Sequence, residues 1–122
     1  MKQLLLVFLG GGAGSALRFL ISKTLNNTFQ NFFLGTFLAN IIGCLLIGII
    51  VGLSVKNNLI TTNHSLLLIT GFCGGFTTFS TFTLEQHSLL RTGDLLNFTI
   101  YTLTSLIIGI GAVAVGFWFS KL

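Results

Sequence analysis

No charged residue stands between Lys23 and Lys56, and none between Lys56 and Glu85. Asp94 to Lys121 bounds another uncharged interval, and Lys2, Arg18 and Lys23 flank a first apolar block. Few folds accept such runs. A membrane-crossing helix needs about 20 mostly apolar residues. Within lipid, every backbone polar group must be satisfied inside a helix or a closed barrel. The spacing predicts four spans, roughly Gln3–Ser22, Phe32–Ser54, Asn63–Leu90 and Leu95–Ser120. Composition agrees, with 7% charged residues and a mean hydropathy of +0.96, against about 25% charged in a soluble domain. The expectation is an all-α, multi-pass membrane protein in which four helices and short loops form a single domain over residues 1–122. The first block is read as a helix, not a cleaved signal peptide: it is glycine-rich, contains Arg18 and lacks a small-residue cleavage site followed by a soluble domain.

The net charge of +4 does not point to nucleic acid, because the six basic residues sit singly at span ends, where they anchor at the bilayer interface. Four spans place Lys2, Lys56 and Lys121 on one side and Lys23, Arg91 and Arg18 on the other. This even split leaves no positive-inside bias. The chain either takes one orientation on a weak bias or inserts both ways up and pairs antiparallel. Cys44 and Cys73 both fall within spans, and two isolated thiols make neither a disulfide framework nor a zinc site.

The stretch Gly71 to Phe82, GFCGGFTTFSTF, contradicts a plain spanning helix. It holds Gly71, Gly74 and Gly75, then Thr77, Thr78, Ser80 and Thr81, with Phe72, Phe76, Phe79 and Phe82 interleaved. Each glycine costs about 1 kcal/mol against alanine in a helix interior. The pattern predicts a third helix broken at membrane depth, which is tolerated only where freed backbone groups are buried in protein or line a polar cavity.

The remaining spans carry small and polar residues at helical spacing. Gly10 and Gly14, Gly48 and Gly52, and Ala112 and Gly116 are each four apart, the spacing of close helix packing. Arg18 near a helix end either snorkels to the interface or attracts anions. Thr36, Asn40 and Cys44 share a face of the second helix, where Asn40 either fastens helices together or donates into a pore. Tyr101, Ser105 and Gly109 form a polar stripe on the fourth helix. Asn27, Thr28 and Asn31 are candidate caps for helix 2, Asn63 for helix 3 and Asp94 for helix 4. Residues 56–63 are read as a turn. Phe79, Phe82 and Glu85 repeat every three residues on one face; Glu85 is expected near the water interface, solvated or paired with Arg18 or Arg91. His64 and His87 are read as interfacial polar residues, and Trp118 and Phe119 as an aromatic belt. No nucleophile lies beside a base in the pattern, so an enzyme is not expected.

The inward candidates are therefore Thr36, Asn40, Thr77, Ser80, Thr81, Tyr101 and Ser105, all uncharged. A cation pathway is expected to carry acids. Hydroxyls, an amide, the positive edges of Phe79 and Phe82 and a half-helix N-terminus instead suit a small anion. Four helices are too few to enclose a pore comfortably, so a dimer is expected. A cation or multidrug exporter of dual topology, or a non-conducting accessory subunit, are the rivals; a proton-coupled exporter needs an acid within the membrane, and helix 1 has none.

GFCGGFTTFSTF resembles the signature of the Fluc (CrcB) bacterial fluoride channels, and GGGAGSALRF in helix 1 and GTFLANIIG in helix 2 resemble that family's other two motifs. Ser15 stands where alanine is common and Phe19 where tyrosine often is. The resemblance implies an antiparallel, dual-topology homodimer with two pores that passively export fluoride across the bacterial inner membrane. It implies Asn40 as a pore donor, Phe79 and Phe82 as aromatic pore residues, and Thr36, Ser80, Tyr101 and Ser105 along the ion path. It further implies a central structural sodium ion held by the backbone carbonyls of Gly74 and Thr77 from both subunits, a ligand type that suits a hard cation.

Overall fold

The computed structural model describes residues 1–57 and 60–122, so the expected turn over 56–63 lies partly outside the described residues. Helix α1 runs Lys2–Leu25 and α2 Leu34–Asn57. The third segment is composite: α3 Thr62–Ser65, a π-helical stretch Leu66–Cys73, α4 Gly74–Phe76 and α5 Phe79–Arg91. Helix α6 runs Leu95–Lys121. Four segments are long and apolar enough to cross a membrane: Lys2–Leu25, Leu34–Lys56, Thr62–Arg91 and Leu95–Lys121. The protein is a multi-pass membrane protein, and each segment overlaps one of the four expected from the charge spacing.

The helix ends differ from expectation in two places. Helix α2 is held by Asn26, whose Oδ1 accepts the Thr36 backbone N–H at 3.0 Å; Asn27, Thr28 and Asn31 do not cap it. Asn31 instead takes the left-handed conformation, φ 64°, in the loop that lets Phe29 and Phe32 bridge. Thr61, not Asn63, caps α3: its hydroxyl accepts from the His64 N–H, and the His64 ring stands where Glu or Gln completes a capping box. Sequence spacing located Asp94 correctly, since its carboxylate accepts from the Asn97 backbone N–H and side chain.

Two close-packed seams organise the bundle. A Cβ on Gly14 would fall on the Phe72 carbonyl oxygen and within 2.8 Å of Phe76 N, so α1 lies backbone-to-backbone against the third segment. Gly48 and Gly116 play the same part between α2 and α6, facing the carbonyls of Val113 and Leu45. Between these seams Phe82, Leu89 and Tyr101 form a small buried core, flanked by Phe32, Phe33, Phe37 and Phe98.

Candidate functional site

The third segment leaves helical conformation at Thr77 (φ −84°, ψ 156°) and Thr78 (φ −149°, ψ 121°). The glycines are not where it breaks. Gly71, Gly74 and Gly75 are all helical, and Gly71 and Gly75 sit against the α1 backbone. Their lack of a side chain permits contact rather than the turn itself. The extended pair is held by α2. Asn40 Oδ1 accepts the Thr78 N–H at 2.7 Å and its Nδ2 donates to the Thr78 carbonyl at 3.1 Å, so one amide replaces two backbone bonds. Thr78 Oγ1 then accepts the Thr81 N–H and starts α5 as its cap. On the other side, the Gly75 carbonyl accepts from Arg18 Nε at 3.1 Å and Ser15 Oγ at 3.3 Å.

These substitutions divert particular donors. In an unbroken helix the Thr78 N–H would bond Gly74 and the Thr81 N–H would bond Thr77. Here Asn40 takes the first and the Thr78 side chain the second. The Gly74 and Thr77 carbonyls are thereby released from the helix ladder, and Gly74 is exposed. They are oxygen ligands of the type a hard cation takes.

Asn40, Thr77, Thr78, Phe79, Phe82 and Ser105 line a groove of about 270 Å³ beside the break. Cys44 also lines it; both cysteines are free thiols. Phe79 is 76% exposed and Phe82 9%, with ring centroids 6.2 Å apart. Ser80 is exposed just beyond Phe79. Ser105 Oγ is buried with no hydrogen-bond partner.

Glu85 overturns its expectation. It is 7% exposed and pairs with neither Arg18 nor Arg91. Thr36 Oγ1 donates to its Oε1 at 2.6 Å, Tyr101 OH to its Oε2 at 2.8 Å, and Asn26 Nδ2 approaches Oε1 at 3.5 Å. The hydroxyls of Thr36 and Tyr101, both fully buried, are spent on this carboxyl group rather than turned into the groove. The repeat Phe79–Phe82–Glu85 carried the signal: Glu85 follows Phe82 onto the buried side of α5. Nearby Gln86 donates from Nε2 to Thr102 Oγ1 at 2.8 Å and leaves its buried Oε1 unpartnered. Asn26, Thr78 and Gln86 had no distinguishing spacing in the sequence, because each acts through a residue far along the chain.

Residues 5–117 match a family model described as CrcB-like protein, Camphor Resistance (CrcB). The chain belongs to the CrcB family. A CrcB relative from Azobacteroides pseudotrichonymphae, named a fluoride-specific ion channel FluC, is 46% identical over 118 residues, covering 96% of this chain and 94% of its own. Proteins of the same name from Phocaeicola vulgatus and Gloeothece citriformis are each 45% identical over 122 residues, covering 99% of this chain and 100% and 98% of theirs. These CrcB relatives are thus channels by name over essentially the whole length compared, break and groove included.

Proposed function

We propose that the chain forms a fluoride-selective channel that lets fluoride leave the cell passively across the bacterial inner membrane. The observation that carries this reading is the 45–46% identity to proteins named fluoride-specific ion channels along nearly the whole chain. The groove supports it chemically. Fluoride is small and holds water tightly, so a path must replace its hydration with donors. The Ser105 hydroxyl has no protein acceptor, Ser80 is exposed, and Asn40 keeps one amide hydrogen beyond the one given to Thr78. The ring edges of Phe79 and Phe82 add positive potential. Arg18 adds charge at the break while its Nε holds Gly75. The Thr36–Glu85–Tyr101 cluster sets the buried wall behind Phe82.

The functional unit in this reading is an antiparallel homodimer of dual topology with two pores, the break lying at mid-membrane. One copy leaves Phe79, Ser80, Gly74 and Thr83 uncovered, and exposed polar groups at bilayer depth are costly unless protein covers them. The Gly74 and Thr77 carbonyls, with their mates from the second copy, are the groups that would hold a central sodium ion, which supplies positive charge and ties the two breaks together. The released carbonyls fit that group.

Fluoride-loaded vesicles containing the purified protein, read with a fluoride electrode, test the reading: efflux is expected, and impermeable vesicles refute it, leaving an accessory subunit. Crosslinks showing all protomers facing one way would refute the antiparallel pair. The rival exporter gains one observation, the buried acid Glu85; cation-driven proton movement in vesicles without fluoride conduction would favour it.

A further inference from the structure

The geometry points to a positioning role for Ser15: with Gly11 and Arg18 it clamps Gly75, fixes the direction of the adjacent Gly74 carbonyl, and so sets how tightly the break holds sodium. This rests on the sodium site proposed above.

Gly11, Ser15 and Arg18 are four and three residues apart, so they share one face of α1. All three meet the same residue. A Cβ on Gly75 would come within 2.9 Å of the Gly11 Cα, so the two backbones touch there. One turn on, Ser15 Oγ donates to the Gly75 carbonyl at 3.3 Å, and at the next turn Arg18 Nε donates to it at 3.1 Å. Ser15 departs from the habit of the other helical hydroxyls. Thr24, Ser54, Thr99 and Thr102 donate back to the carbonyl four residues earlier in their own helix. Ser15 reaches a residue sixty positions away.

The reason lies in the break. An unbroken helix would give the Gly75 carbonyl the N–H of Phe79. Phe79 instead opens α5 after two extended residues, so α1 supplies the missing donors. The Gly74 and Gly75 carbonyls lie on successive peptide planes hinged at the Gly75 Cα. Glycine has the widest backbone freedom, so this hinge would otherwise be the loosest point of the break. Contact at the Cα and two hydrogen bonds at the carbonyl remove that freedom. A carbonyl held in its binding direction before the ion arrives raises affinity by preorganisation.

The test is the melting temperature of the purified, full-length protein titrated with sodium against an inert organic cation, giving a half-saturating sodium concentration. Ser15→Ala is expected to raise that concentration about fivefold, the factor a neutral hydrogen bond supplies. Ser15→Thr, which keeps a hydroxyl, is expected to return it to within about twofold. Arg18→Lys, which keeps the charge but loses the Nε–H, is expected to raise it about tenfold or more. Gly12→Ala is the control, because a Cβ there meets nothing within 4 Å. If Ser15→Ala changes the concentration no more than Gly12→Ala does, the clamp is overturned and the sodium site stands. If the unmodified protein shows no sodium-specific shift, the sodium site fails and the clamp with it, whatever the fluoride electrode reads.

Discussion

Replacing Tyr101 by Phe removes one oxygen from a site with no room for water. The ring is 0% exposed and keeps its neighbours, Phe82 at 5.1 Å, Phe32 at 5.2 Å and Phe33 at 5.9 Å between centroids. What is lost is the 2.8 Å donor to Glu85 Oε2. Thr36 serves the other carboxyl oxygen, and so does the long contact from Asn26, so neither substitutes. Hydrogen bonds between membrane helices average about 0.6 kcal/mol and reach about 1.7. Leaving a buried polar atom unpaired costs about 1–3 kcal/mol. The second effect decides the case, and we expect Tyr101→Phe to destabilise the protein by about 1.5 kcal/mol. Reversible unfolding in mixed detergent measures this. A double-mutant cycle with Glu85→Gln should give coupling of about 1 kcal/mol, since the pair is in direct contact. A loss below about 0.5 kcal/mol, with no coupling, would show that Tyr101 OH and Glu85 do not share a bond that matters, and would undo the account of the cluster.

Phe79→Ile should abolish fluoride flux in vesicles while size-exclusion chromatography still shows a dimer; undiminished flux would count against ring edges as ion contacts. Asn40→Asp keeps the acceptor for the Thr78 N–H but sets a carboxylate against the Thr78 carbonyl and the anion path, so fluoride efflux should stop; normal efflux would take Asn40 out of the pore. Gly14→Ala should cost about 1–3 kcal/mol because its Cβ meets backbone that cannot rotate away, whereas Gly12→Ala should be neutral or stabilising by up to about 1 kcal/mol. Equal unfolding midpoints for those two variants would refute the close seam between α1 and the third segment.

The four segments were legible because charge spacing reports directly on what a bilayer excludes. The place of the interruption was legible only in outline. Gly71, Gly74 and Gly75 drew the eye, yet they remain helical and serve contact with α1, while Thr77 and Thr78 open because Asn40 takes over their bonds. That exchange joins residues 38 positions apart, and no local pattern shows it. Glu85 was misjudged for a related reason. A lone acid near a span end ordinarily faces water, and only the folded chain brings Thr36 from α2 and Tyr101 from α6 to meet it. Asp94 was legible because its partner Asn97 is three residues away.

The π-helical winding of Leu66–Cys73 has a consequence for how the chain tolerates change in length. Such winding accommodates a residue more than an α-helix would over the same rise. Deleting a single position there would let the stretch relax into ordinary α-helix, and everything after it would swing by about 100°. Gly75 would then face away from Ser15 and Arg18, and Thr78 away from Asn40. A one-residue gap in this stretch should therefore be far more damaging than any single substitution within it, because it puts two partner helices out of phase at once.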